Sequence, residues 1–339
     1  MAPVRCGCID IGSNTTRLLV AEGTRGAGGE GTLRELVTER AFTRVGASRA
    51  ADGRIPAATI ERVAEAVAGQ LRTARQYGAE DVVAVATAAI RDAPNRDELA
   101  AAVARAAGVR LRVLSGEAEA RLGFLGATRA LGGRAARGGA AATGGRGEGG
   151  AAPDAGPDPD SGAGPDSDPD PDTVAVADVG GGSTELAVGS PDGEVAWWSS
   201  LPVGSSVLAG AHLRSDPPAA AELDRARASV AEAFAGLDPP PVARAVAVGG
   251  TATSLHRLVG PELTAATLAH GLELLCASPA ALAAVRLGLD TERVRLLPAG
   301  MVVLEAICAR LRRTLCVVGG GLREGVLLER LAGHRLGDR

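Results

Sequence analysis

Short apolar runs along the chain end repeatedly in an acid and glycines. Val174-Ala175-Val176-Ala177 leads into Asp178-Val179-Gly180-Gly181-Gly182-Ser183-Thr184-Glu185, and Leu186-Ala187-Val188 leaves it. Val4 to Ile11 leads in the same way into Asp10-Ile11-Gly12-Ser13-Asn14-Thr15-Thr16, and Arg17 to Ala21 leaves it. Short runs of this kind, rich in Val and Ile and bounded by glycine, predict strands, so each set predicts a hairpin. Residues 25–31 read as a glycine-rich tip and residues 33–45 as a further strand. Apolar positions at Ile60, Val63, Val67 and Leu71, behind Pro56, predict a helix over 56–76 that Gly78 ends. A buried strand over 82–86, a helix over 95–107 and a strand over 109–114 follow. Ser115 then caps a helix carrying Leu122, Phe124 and Leu125.

The second hairpin is followed by the same kind of pattern. Residues 195–201 and 242–248 read as strands and 222–234 as a helix. Val203-Gly204-Ser205-Ser206 reads as a connection. A helix carries Leu255 and Leu258, residues 264–286 form two helical pieces split at Pro279, and a helix runs over 300–311. A strand over 315–318 and the turn Gly319-Gly320-Gly321 lead into a terminal helix. The alternation predicts an α/β protein in two halves, 1–131 and 173–339, with a ligand cleft between them. The last helix is expected to pack back on the first half. Residues 132–172, a Gly/Ala/Arg run followed by repeated Pro-Asp, lack residues large enough for a core and read as a disordered insertion.

Composition narrows the chemistry. Of 339 residues, 46% are hydrophobic but only 2% aromatic, so the core is built from Ala, Val and Leu, and base-stacking platforms for single-stranded nucleic acid are not expected. The formal net charge of -4, from 36 basic and 40 acidic residues, offers no global positive field for nucleic acid. The five cysteines show no metal-ligand spacing with the four histidines and read as reduced. With no signal-like segment and no long apolar span, a cytoplasmic protein without membrane contact is expected.

Two tight turns with adjacent backbone N–H groups can cradle an anion. Asp10 and Asp178 end apolar strands, where a core residue should not be charged, and together with Glu185 offer hard oxygen ligands for Mg²⁺ or a site for a water. Gly249-Gly250-Thr251, between a strand and a helix, forms a third cradle. Arg91 reads equally as an anion contact or as a cap on a strand end. Glu117 and Glu119 suit a helix N-terminus, and two residues apart they do not share a face, so at most one points into a cleft.

Several segments together resemble one family: Asp10-Ile11-Gly12-Ser13-Asn14, Ala86-Thr87-Ala88 with Arg91-Asp92-Ala93, Ser115-Gly116-Glu117-Ala118-Glu119-Ala120-Arg121-Leu122, Asp178 to Glu185, Gly249-Gly250-Thr251-Ala252-Thr253, Pro298-Ala299-Gly300 and Gly321-Leu322-Arg323-Glu324-Gly325. The chain resembles the exopolyphosphatase / guanosine pentaphosphate phosphatase (Ppx/GppA) family, in its short two-domain form. The resemblance implies two ribonuclease H-like domains of the actin, sugar kinase and Hsp70 superfamily. It implies hydrolysis of the terminal phosphoanhydride of inorganic polyphosphate, or alternatively of guanosine pentaphosphate. A low-turnover sensor and a small-molecule kinase of the same fold are the other readings.

By the same resemblance, Glu119 is the catalytic base with Glu185 beside it, and Asp10 and Asp178 hold Mg²⁺, with Mn²⁺ as the alternative ion. Phosphates would lie on Gly12, Ser13, Asn14, Thr15, Arg91, Gly180, Gly181, Gly182, Ser183, Thr184, Gly249, Gly250 and Thr251. A homodimer is expected. The chain departs from the family in having Ala118 where a first glutamate usually precedes Glu119, and Arg293-Val294-Arg295 where the third position is usually acidic.

Overall fold

The computed structural model describes residues 3–24, 31–138 and 169–333. In chain order the first half contains β1 (Val4–Ile11), β2 (Thr15–Thr24), β3 (Thr32–Phe42), α1 (Val45–Ser48), α2 (Ala57–Gln76), β4 (Asp81–Ala86), α3 (Ala88–Arg91), α4 (Arg96–Ala107), β5 (Leu111–Val113) and α5 (Gly116–Gly138). The second half contains β6 (Val174–Val179), β7 (Thr184–Gly189), β8 (Val195–Leu201), α6 (Ser205–His212), α7 (Ala220–Ala233), β9 (Arg244–Val248), α8 (Gly249–Val259), β10 (Glu262–Leu263), α9 (Ala265–Cys276), α10 (Ala280–Leu287), α11 (Thr291–Leu311), β11 (Leu315–Val317) and α12 (Leu322–Leu331).

The two halves repeat one topology. The first sheet has the order β3-β2-β1-β4-β5 and the second β10-β11-β9-β6-β7-β8. In each, an antiparallel meander of three strands is followed by parallel strands reached through helices. This is the ribonuclease H-like arrangement, present twice. The central strands are covered on both faces, which is why β1, β6 and β9 read as nearly continuous apolar runs.

The core is aliphatic, as the composition requires. Against the first sheet, α2 buries Ile60, Val63, Val67 and Leu71, the i, i+3, i+4 stripe of its sequence. Full burial of each such side chain contributes about 1.5–3 kcal/mol. The helix stops at Gly78, whose φ of 78 is costly for a residue with a Cβ. Cys6 and Cys8 share one face of β1 and pack with Leu327 and Leu331 of α12, so the last helix lies on the first sheet. Reciprocally, Phe124 and Ala127 of α5 pack on Val174, Val176, Val246 and Val248 of the second sheet. Each half thus contributes a helix to the other half's core.

Three elements differ from the sequence reading. Ser205–His212 is a helix rather than a connection, because its small residues conceal the helical period. Residues 291–311 form one helix despite Pro298; twelve of its residues are buried, and that packing outweighs the hydrogen bond proline removes. Finally, α5 continues to Gly138, past the boundary placed at residue 131. Most of the glycine-rich tip and of the 132–172 segment lies outside the described residues. Among the described residues no single helix is long and apolar enough to cross a membrane.

Candidate active site

The two acid-glycine hairpins have the same local geometry. The amide of Gly12 donates to the carbonyl of Thr15 at 3.0 Å, and that of Gly180 to the carbonyl of Ser183 at 3.0 Å. These bonds close the turns and leave the amides of Ser13, Asn14, Gly181 and Gly182 without a protein acceptor. Unpaired N–H groups in succession form an anion-binding nest. The turns face each other across the cleft closely enough that a Cβ on Gly182 would lie 3.1 Å from Cβ of Ser13. Between them lies a cavity of about 120 Å³, lined from both halves.

Most of the sequence-assigned residues line this cavity: Asp10, Gly12, Ser13, Asn14, Thr15, Glu119, Asp178, Gly180, Gly181, Gly182, Ser183, Glu185, Gly249, Gly250 and Thr251. Three assigned phosphate contacts are placed otherwise. Thr184 is not part of the lining, and its buried hydroxyl donates to the Val203 carbonyl at 2.5 Å. Thr251 lines the cavity, but its hydroxyl is spent on the Val179 carbonyl at 2.8 Å. Arg91 stands behind the lining, where it donates to the Glu119 carboxylate and to the Leu114 carbonyl at 3.0 Å.

Register places the charged side chains. Asp10 pairs with Arg17 across β1 and β2, and Asp178 pairs with Glu185 across β6 and β7. The repeat therefore sets an arginine in one hairpin where the other has a glutamate. Burial pushes Asp10 up from its ordinary carboxylate value, against the pull of Arg17 and Arg323. Burial likewise pushes Asp178 up to about 6, with Arg17 again pulling down and Asp10 pushing up.

Asp10 Oδ1 is buried with no hydrogen-bond partner. Among the described residues no group of three Asp, Glu, His or Cys side chains forms a complete metal cage. Two carboxylates, one with an orphaned oxygen, beside a nest for phosphate fit Mg²⁺. That ion commonly takes one or two carboxylates and completes its shell with water and phosphate oxygens.

Glu119 is 5% exposed, whereas Glu117 lies in solvent, so the helix presents one of its two acids to the cleft. Burial and then the charge of Glu185 push Glu119 above its ordinary value, and Arg91 pulls it down. Glu185 is also raised, by burial and then by Asp178, and accepts a hydrogen bond from the Ser200 hydroxyl at 3.0 Å.

The sequence reading missed a set of cations. The guanidinium groups of Arg17 and Arg293 converge on Gly250, where a Cβ would collide with both. Neither forms an ion pair among the described residues, and Nε of Arg293 is buried without an acceptor. Burial, then Arg17 and Arg40, push Arg293 down to about 9. Unpaired cations held together against their own repulsion mark a place for an anion. Arg323 joins them, and the three are shared with a groove of about 780 Å³ that also carries Arg40 and Arg257, beside Glu35, Glu39, Asp290 and Glu324.

Comparison with known proteins agrees with this geometry. A model of the Ppx/GppA phosphatase family matches residues 21–145 and 169–334. Exopolyphosphatase 1 of Mycobacterium leprae is 30% identical over 97% of this chain and 90% of its own length. A guanosine-5'-triphosphate,3'-diphosphate pyrophosphatase of Aeromonas salmonicida is 26% identical over 94% of this chain and 58% of its own length. The solved PPX-GPPA enzyme of Aquifex aeolicus superposes with a TM-score of 0.69 at 26% identity, covering 96% of this chain and 99% of that one. With the family model matched across both halves, the second acid-glycine hairpin included, the chain belongs to the Ppx/GppA phosphatase family.

Proposed function

We propose that the protein is an exopolyphosphatase, which removes orthophosphate from the end of an inorganic polyphosphate chain. The observation that carries this reading is the continuity between the small cavity and the arginine groove: a phosphoryl-sized chamber with free amides opens onto Arg17, Arg293 and Arg323. In this mechanism the terminal phosphoryl lies on the amides of Ser13, Asn14, Gly181 and Gly182, and the chain leaves along the arginines. Water attacks the terminal phosphorus, the phosphoanhydride bond breaks, and the shortened chain leaves as an oxyanion. Glu119 takes the proton of the attacking water, and Arg91 fixes the orientation of its carboxylate. Glu185, held by Ser200, keeps the companion charge near that water. Mg²⁺ held by Asp10 and Asp178 supplies charge neutralisation on the phosphoryl oxygens when bound. Catalysis then rests on positioning and on fixed charge more than on covalent chemistry.

One observation favours polyphosphate over guanosine pentaphosphate. Among the described residues the one aromatic ring lining the groove, Phe42, is already covered by Arg40, whose Cζ lies 5.4 Å from the ring centroid. Among these residues no free ring remains there for a base to stack on. The test is orthophosphate release from short polyphosphate, long polyphosphate and guanosine pentaphosphate, each with Mg²⁺ and with EDTA. Release from polyphosphate that EDTA abolishes supports the reading. Release confined to guanosine pentaphosphate, or phosphoryl transfer from ATP to an acceptor without polyphosphate hydrolysis, contradicts it.

A further inference from the structure

The catalytic cavity adjoins two outer spaces. One is the arginine groove. The other, which shares Asn14, Ser206 and Leu296 with the cavity wall, is a separate pocket of about 370 Å³ between α1 of the first half and α6, α10 and α11 of the second. The two outer spaces share no lining residue. Three arginines, Arg44, Arg214 and Arg295, line this second space beside two acids, Asp216 and Glu292. Arg44 is held by Glu292 at 2.9 Å and Arg295 by Asp216 at 3.4 Å. The Arg214 guanidinium has no hydrogen bond or ion pair among the described residues. At the junction, the Ser206 hydroxyl is buried and without a partner.

These features address a problem of topology in the cleavage itself. If the chain fills the arginine groove, the orthophosphate formed at its end sits deeper than the chain and is trapped behind it. We infer that the pocket between α1 and α11 is the exit for orthophosphate, with the Ser206 hydroxyl as first contact and Arg214 and Arg295 drawing the anion outward. The inference rests on the polyphosphate reading above. A separate exit lets product leave while the shortened chain stays in its groove, so successive phosphates are removed without the chain dissociating.

The test compares wild-type enzyme with the Arg214→Ala/Arg295→Ala double variant, both exposed positions whose replacement leaves the core intact. With enzyme in excess, cleavage of polyphosphate is followed by rapid quench. Release of orthophosphate into solution is followed with a fluorescent phosphate-binding sensor. Electrostatic guidance changes such transfer rates by about tenfold or more. The expected result is unchanged cleavage with release slowed about tenfold, and recovery of release in the Arg214→Lys/Arg295→Lys variant. Release that keeps pace with cleavage in the alanine variant, or cleavage slowed as much as release, overturns the exit. Wild-type enzyme that cleaves no polyphosphate overturns the function and the exit together. Wild-type cleavage with an indifferent variant overturns the exit alone.

Discussion

Arg17 of β2 and Arg293 of α11 bring their guanidinium groups to the same face of Gly250, and neither forms an ion pair among the described residues. Two cations held this way store repulsion that an anionic ligand relieves. Hydrogen bonds to charged groups contribute about 1.5–3 kcal/mol. Arg293→Ala is therefore expected to raise KM for polyphosphate roughly 10- to 100-fold, with a smaller effect on kcat. Steady-state kinetics at fixed ionic strength check this, and an unchanged KM removes Arg293 from the binding path.

The same site makes stability depend on pH. Burial pushes Asp178 up to about 6 and raises Glu119 and Glu185 as a pair, whereas in the unfolded chain all three titrate near their ordinary values of about 4. Above that value the folded state holds more protons than the unfolded one, so stability falls as pH rises through the folded values. Glu222 is held down to about 2 by Ser215 and by the amides of Ala219 and Arg214, and has titrated below this window. In EDTA, Tm at pH 8.5 should lie below Tm at pH 5.5, and Asp178→Asn should flatten the difference. A Tm that climbs over this range contradicts the assignment of these acids as buried groups with raised values.

The crossing of α5 and α12 couples the halves and tolerates no side chain at its centre. A Cβ on Gly325 would collide with the carbonyl of Leu122, and one on Gly126 with the backbone of Gly321. Overpacking of this kind costs about 1–3 kcal/mol. Gly325→Val is expected to lower Tm by several degrees and to reduce activity, because α12 begins beside the cavity at Leu322, Arg323 and Glu324. Thermal unfolding by circular dichroism tests it, and a wild-type Tm rules out the tight crossing.

The hairpins were legible in the sequence because their chemistry is local: an acid at a strand end, glycines in the turn, and hydroxyls after it. Glu119 was legible as one of two acids at a helix start, since two residues of separation put only one of them in the cleft. Arg17 was not legible. In sequence it is one polar residue in an apolar strand, and only its register with Asp10 and the approach of α8 and α11 give it a role. Arg293 and Arg295 carry the same side chain, but their separation on α11 leaves one buried at 8% and sends the other to the second pocket. Arg91 has the composition of an anion contact, and its pairing with Glu119 depends on a meeting of α3 and α5 that no local pattern encodes.

In the proposed mechanism Glu119, oriented by Arg91 and buried beside Glu185, takes the proton of the attacking water. Glu119→Gln keeps the shape and removes the base, and loss of a general base costs about 10²- to 10⁴-fold in rate. The decisive measurement is orthophosphate release from polyphosphate with Mg²⁺ by wild type and Glu119→Gln, alongside equilibrium binding of the same chain. Release is expected to fall about 100-fold or more with binding retained. Turnover by Glu119→Gln at the wild-type rate contradicts it.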